Sequence, residues 1–458
     1  MTSFPENTIS IAEAKRRERR TEAEGISPET ADDTIALEFS RLHANELRYV
    51  AAWSRWLIRE PDRWRQDDTI AIYDLVRTVC RGIAKRCPDV NESRRLAAAS
   101  TISAVERLAR SDRRHAARPE DFDADPWELN TPGGVVDLRT GELRPHRETD
   151  AFTKVTAVAP TGDCPTWHRF LDETCGGDQA LIDYLQRWAG YTLTGSIREH
   201  SFAFLHGPGG NGKSVLLGTL AGILGEYATT AMSDVFTVGR NDQHPTHLAS
   251  LRGARMVMVT ETEEGRPWAE ARIKSLTGGD KISARVMRGD PFEFSPIFKL
   301  WIAGNHRPTL RNPDPAMCRR LHLVPLTNVP AHPDPELPER LRAEWPAILA
   351  WAIDGCINWQ ERGLTPPPIV ADATSEYFAD QDSLSEWVAE RCERQRSATM
   401  PARAAFADWK GWMIQRGEEP GTEKRFSAEM ERHFAKQRAK TGVQFLGVKL
   451  RPTDTGVF

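Results

Sequence analysis

Cysteine is sparse and poorly spaced in this 458-residue chain: Cys80, Cys87, Cys164, Cys175, Cys318, Cys356 and Cys392 form no C-x-x-C pair. That excludes a zinc-ribbon pattern and argues against a secreted disulfide framework. No apolar run approaches the ~18 residues of a membrane span, and the opening MTSFPENTIS has no apolar signal-peptide centre. A soluble, cytoplasmic protein that meets no membrane is therefore expected. Charge of one sign is lacking as well. The formal net charge is -4 with 28% charged residues, so any hold on nucleic acid must come from a local patch.

What is present is concentrated in GPGGNGKSVLL, Gly207 to Leu217, which fits the pattern G-x-x-x-x-G-K-[S/T]. The preceding HSFAFL (His200 to Leu205) reads as a buried strand, and Ser214 to Leu224 reads as an apolar helix. A phosphate cradle needs that order. Gly207, Gly209, Gly210 and Gly212 let the backbone curl with its N–H groups inward, within a loop that also holds Pro208 and Asn211 and runs on to Val215. Those amides and the helix N-terminus would meet the charge of a triphosphate. Lys213 is expected against the β- and γ-phosphates, and the Ser214 hydroxyl on Mg²⁺.

Downstream, RMVMVT (Arg255 to Thr260) is an apolar strand that delivers Glu261 and Glu263 at its end. Beside a glycine loop, one carboxylate of such a pair holds Mg²⁺ through water and its neighbour orients or deprotonates the attacking water. Thr262 separates the two, so the division of roles stays open; an exposed acidic loop is the plainer alternative. Next, Ile282 to Met287 and Phe292 to Phe294 read as a hairpin with RGDP at its tip. Lys281, Arg285 and Arg288 make it basic, which suits a single-strand backbone, although solvated strand-edge residues have the same look. A third strand, FKLWIA (Phe298 to Ala303), leads to Asn305, whose amide can bond a γ-phosphate or the lytic water. Arg319 and Arg320 precede a last strand, LHLVPL, where arginines can stabilise the charge of phosphoryl transfer.

Length suggests two to four domains. Residues 1–30 form a charged arm with KRRERR at Lys15 to Arg20, and residues 31–185 read as mainly helical, with Tyr49, Trp53, Trp56 and Trp64 marking a core. Within that stretch TPGGVVDLRTGELRPH predicts two short strands around a bend at Arg139 to Gly141. The nucleotide-binding region spans 186–330 and a trailing helical segment 331–380, whose Trp345, Trp351 and Trp359 read as packing residues. Residues 381–458 alternate helix and turn signals and carry Lys424, Arg425, Arg432, Lys436, Arg438 and Lys440. They suit a DNA-gripping or a protein-docking module.

The ordered blocks GPGGNGKS, VMVTETEEG, KSLTGGDKISAR, FKLWIAGNHRP and RRLHLVPL resemble the superfamily 3 helicase domain of phage and plasmid DNA primases and of the poxvirus helicase-primase. The resemblance covers nearly everything after residue 30, including a winged-helix-like tail from Phe406 to Phe434. It implies an α/β AAA+ ATPase core with a helical domain before it and a winged helix after it. It also implies a homo-oligomer, expected as a hexameric ring, that holds ATP and Mg²⁺ between subunits and moves 3′ to 5′ on single-stranded or forked DNA. Lys213 and Ser214 would bind phosphate and metal, Glu261 and Glu263 would activate water, and Asn305 would sense the γ-phosphate. Arg319 or Arg320 would serve the neighbouring subunit's site, and Lys281, Arg285 and Arg288 would line the channel. No cysteine-rich module or cluster of strand-end carboxylates supports primer synthesis, so a primase is expected on a separate chain. A nucleotide-switched initiator or loader without processive unwinding is the alternative reading.

Overall fold

The computed structural model describes residues 30–237, 246–260, 267–285, 290–308, 310, 315–330, 332–380, 383–416, 420–439 and 442–451. Its first strands are β1 (Leu47–Val50), β2 (Arg55–Arg59) and β3 (Trp64–Gln66), joined by β4 (Ala116–Ala117) in a sheet of order β3-β2-β1-β4. These strands interrupt the mainly helical pattern expected over residues 31–185. The run RYVAAWSRWLIR has aromatic and β-branched residues suited to a pleated surface, and β1 and β2 pair antiparallel around a turn at Ala51–Ser54. Trp56 and Trp64 are buried, as core residues should be. The helices Asp32–Leu42, Ala71–Arg86 and Ala99–Ala109 close the core around Phe39, Val76 and Val105.

Three further strands, β5 (Glu128–Thr131), β6 (Gly134–Asp137) and β7 (Glu142–Arg144), form an antiparallel meander. The last two are the predicted pair around the Arg139–Gly141 bend. The chain then enters helices Pro165–Cys175 and Gln179–Leu193.

The central sheet contains β8 (Phe202–His206), β9 (Ala228–Thr230), β10 (Met256–Thr260), β13 (Lys299–Gly304) and β14 (Leu321–Pro325), in the order β14-β8-β13-β10-β9. Every pairing in it is parallel. Such a sheet is covered on both faces and reads as continuous apolar runs, which is why FAFLH and KLWIAG show no polar alternation. The period of two still sorts the side chains. Ala203, Leu205, Trp301 and Ala303 face the helices Gln179–Leu193, Lys213–Leu224 and Trp345–Arg362, whereas Phe202, Phe204, Leu300 and Ile302 face Trp268, Leu276 and Tyr377. Trp351 and Trp359 are buried in the first of these cores and Trp345 packs against it, in keeping with a packing role.

Two buried cations fasten the amino edge of this sheet to what precedes it. Arg255 donates to the carbonyls of Leu193 (2.5 Å) and Glu128 (2.6 Å), and Lys299 Nζ donates to those of Thr194, Ser196 (3.2 Å) and Ile297 (3.1 Å). Both serve the carboxyl end of helix Gln179–Leu193, where unpaired carbonyls attract positive charge. Burial pushes the Lys299 ammonium well below its ordinary pKa.

Strands β11 (Ile282–Arg285) and β12 (Pro291–Phe294) form a separate antiparallel hairpin. After helix Pro368–Asp380 the chain builds another apolar core around Trp387, Trp409, Met430 and Phe445. The elements there run helix Ser383–Arg391, β15 (Cys392–Pro401), helices Ala402–Gln415 and Glu423–His433, then β16 (Lys436–Ala439) and β17 (Gly442–Leu450), with sheet order β15-β17-β16. No helix among the described residues is long and apolar enough to cross a membrane.

Candidate functional site

In open parallel sheets ligands lodge beyond the carboxyl ends of the strands. Here β8 ends at His206, the chain turns at once through Gly207–Gly212, and the next helix begins at Lys213. Gly207 has φ +149, and a Cβ there would lie 2.0 Å from the Leu326 carbonyl oxygen. Gly212, at φ +85, would drive a Cβ to 2.9 Å from the Phe170 ring and from Thr174 Oγ1. The loop is thus clamped between β14's exit and helix Pro165–Cys175, with its open side toward solvent at the exposed Pro208, Gly209 and Gly210. Gly212→Ala is expected to lower the melting temperature, because the left-handed backbone alone costs about 1–2 kcal/mol for a residue with a Cβ. It should also abolish nucleotide binding; a thermal melt and a fluorescent-nucleotide titration that both match the parent protein would refute this account of the loop.

Lys213 is only 6% exposed. Its Nζ turns back into the loop and donates to Gly207 O (2.8 Å), Pro208 O (2.8 Å) and Asn211 Oδ1 (2.7 Å). All three acceptors are neutral and no carboxylate among the described residues pairs with the ammonium, whose pKa burial lowers. An anion in the loop would relieve that penalty. Asn211, 2% exposed, uses its other amide atom, Nδ2, to donate to Leu326 O just beyond β14. It therefore ties the lysine to a second strand exit, a linkage the motif spacing does not reveal. Ser214 is exposed on the first helical turn with Val215 half-buried beside it, which leaves the hydroxyl available to a cation.

The strand register brings the other groups to the same edge. Gly304 pairs with His206 across β13 and β8, so Asn305 leaves the sheet next to the glycine loop and is exposed there. Thr260 pairs with Ala303, so β10 also ends at this edge; Glu261 and Glu263, which follow it, lie outside the described residues. His206 was not singled out by sequence. Burial, reinforced by the Arg307 and Lys213 charges, pushes it down to about 4, so it is neutral at physiological pH. A histidine at the last position before a glycine loop is the only sequence signal for it.

Arg319 and Arg320 sit at the opposite edge. Leu321 pairs with Phe202 and Pro325 with His206, so five residues of strand, about 16 Å, separate the arginines from the loop of their own chain. Arg320 is half-buried and donates to His200 O (3.0 Å), whereas Arg319 is exposed. The hairpin positions also stand apart from the loop. Lys281 and Arg285 are exposed, alternating with the buried Ile282 and Ala284 that root β11 in the core; Arg288 lies outside the described residues. In the carboxyl-terminal unit Arg425 pairs with Glu429 (3.0 Å) and Lys436 with Glu431 (3.3 Å), and Lys440 is outside the described residues. One potential metal group, Asp163, Cys164 and His168, lies within 4.8 Å. Its buried Cys164 thiol is pushed up to about 11 and sits 3.6 Å from His168 Nε2, a local hydrogen-bonded pair.

Residues 36–176 match the family model described as D5 N terminal like, and residues 205–320 match a family of unknown function (DUF5906). Among curated proteins, the helicase-named 022R of Frog virus 3 (isolate Goorha) is 26% identical over 261 residues, covering 51% of this chain and 26% of its own length. The helicase-named L207/L206 of Acanthamoeba polyphaga mimivirus is 26% identical over 295 residues, covering 58% of this chain and 31% of its own length. The chain thus spans only a quarter to a third of these relatives. Among solved structures, an apo structure of the NrS-1 C terminal region (305-718) shares the fold, with TM-score 0.52 and 11% identity over 90% of this chain and 100% of that one. A second apo structure of that region gives TM-score 0.51 at 10% identity, over 90% of this chain and 99% of that one. The chain is thus similar in its amino-terminal part to the D5 N terminal like family, is similar in sequence to helicase-named viral proteins, and shares its fold with the NrS-1 C terminal region.

Proposed function

We propose that this chain is an ATP-dependent, ring-forming DNA helicase that acts in the replication of a phage, plasmid or other mobile element in a bacterial host cytoplasm. The observation that carries the reading is the glycine loop with a buried Lys213, bonded to three neutral oxygens, at the strand edge shared with Asn305, while Arg319 stands exposed at the other edge. A site with its cation and its sensor on one face, and its arginine too distant to serve the same loop, is a half-site; a second copy of the chain completes it. The neutral donor set of the loop and the solvent-facing Ser214 fit a triphosphate with Mg²⁺. When bound, these supply the phosphoanhydride bond and the charge neutralisation its cleavage needs.

Around them Lys213 would hold the phosphates and Ser214 the cation, Glu261 and Glu263 would between them hold the cation and activate the attacking water, and Asn305 would bond the γ-phosphate or that water. Lys281, Arg285 and Arg288 on the hairpin grip a single strand inside the ring, where six copies of a few basic groups offset the acidic net charge. The carboxyl-terminal order of helix, strand, two helices and two strands supports a winged helix that touches duplex DNA through helix Glu423–His433. A separately encoded primase would supply primers. The test is strand displacement on a forked DNA, read together with ATPase rates with and without single-stranded DNA. Displacement with DNA-stimulated ATPase is expected. Hydrolysis indifferent to DNA with no strand displaced would refute the helicase and leave the nucleotide-switched loader.

A further inference from the structure

The amino-terminal unit holds a cleft of about 460 Å³ between the β1–β2 turn, the start of helix Ala71–Arg86 and helix Ala99–Ala109. Its rim is built under strain. Ile70 has φ +61 and Ser54 φ +52. A β-branched residue in the left-handed region is a genuine outlier, and such strain gathers at functional sites. Ile70 is also 71% exposed. The turn that bears it is held by Asp67, whose carboxylate accepts from the backbone N–H groups of Thr69 (3.1 Å), Ala71 (2.9 Å) and Ile72 (3.1 Å). An aliphatic side chain that gains nothing from burial is thus kept upright at the mouth of the cleft.

The charges in the cleft do not balance. Asp67 is occupied by those amides, and Glu106 accepts from Trp56 Nε1 (2.7 Å) and from Arg110 through Nε and NH2 (2.8 Å each). Both acids are therefore spoken for. Arg55 and Arg107, on opposite walls, are exposed and pair with no carboxylate among the described residues. The lining thus carries one excess positive charge, three arginines against Asp67 and Glu106, and two guanidinium forks without an ion-pair partner among the described residues; with the exposed apolar wedge they match a ligand with successive phosphates and flat apolar faces.

We propose that this cleft is a second binding site for single-stranded DNA, with Arg55 and Arg107 on its phosphates and Ile70 against a base. The proposal rests on the DNA reading above but not on the glycine loop. Its place is distinct too, since the residues belong to the amino-terminal sheet and helices and not to the β11–β12 hairpin.

The experiment measures fluorescence polarisation of a labelled oligothymidylate with the full chain, without nucleotide, over a series of salt concentrations. Arg55→Glu/Arg107→Glu is expected to weaken binding about tenfold or more. It should also flatten the slope of log affinity against log salt by about 1.4, the equivalent of two phosphates on a single strand. Ile70→Gly separates function from folding. Glycine adopts the left-handed backbone freely and the exposed side chain forfeits no packing, so the melting temperature should hold or rise while DNA affinity falls. ATPase without DNA should be unchanged in both variants. Unchanged affinity and salt slope in the double variant would overturn the proposal, including the case in which the cleft serves an acidic protein. Absence of ATPase in the parent chain would instead overturn the enzyme reading and leave this measurement intact.

Discussion

Lys213→Ala is expected to lower ATP turnover by about 10²–10³ or more, the usual loss when one preorganised charge-stabilising donor is removed from a site. The effect should be on catalysis and nucleotide affinity far more than on folding. The ammonium is desolvated and, among the described residues, held by neutral oxygens, so its removal abolishes a burial penalty as well as three hydrogen bonds. Two contributions of about 1–3 kcal/mol thereby oppose one another. A melt close to that of the parent protein, with turnover lost, is the expected pattern, measured by calorimetry and by phosphate release. Turnover within threefold of the parent protein would mean that the loop does not hold the reacting phosphates.

The paired arginines should separate in the same two assays. Arg319→Ala is expected to cost on the order of 10³ in turnover, at the lower end of what a supplied arginine contributes, with no change in stability because its side chain is exposed. Arg320→Ala should instead lower stability. It loses the bond to His200 O that fixes the entry to β8, a charge-assisted hydrogen bond worth about 1.5–3 kcal/mol. In the proposed ring, the distance along β14 would make the Arg319 effect one between subunits. Mixing Lys213→Ala with Arg319→Ala subunits should restore part of the activity, since some interfaces then combine an intact loop with an intact arginine. No recovery in rings demonstrated to be mixed would assign the arginine to its own chain's site.

Four of the five central strands were legible in the sequence because they are buried and appear as apolar runs between turn residues, whereas the edge strand β9, Ala228–Thr230, is short, polar and partly exposed and gave no such run. HSFAFL, RMVMVT, FKLWIA and LHLVPL all correspond to strands, within a residue or two at their ends. The glycine loop was legible because its residue types are dictated by backbone geometry: Gly207 and Gly212 stand where any Cβ collides. The amino-terminal sheet was not. The short strands Leu47–Val50 and Trp64–Gln66 place tryptophans and arginines at spacings that a helix also permits, and only the tertiary partners decide. What escaped in the site were long-range partners. Asn211 looked like one more loop residue, yet its amide reaches the far exit of β14. Arg255 and Lys299 drew no reading of their own inside RMVMVT and FKLWIA, yet they close carbonyls at the end of a helix, over a hundred residues earlier in the case of Lys299 and Thr194. No local pattern encodes such pairs.

The place of β13 between β8 and β10 sets a length. Neighbouring strands lie about 4.8 Å apart, so the carboxyl ends of β8 and β10 are about 9.6 Å from each other at the sheet edge. Had β10 paired directly with β8, half that gap would remain, too little for the terminal phosphate, hydrated cation and water that the proposed reaction would set in line. The inserted strand works as a spacer gauge, and the residue at its end, Asn305, stands midway across the opening it creates.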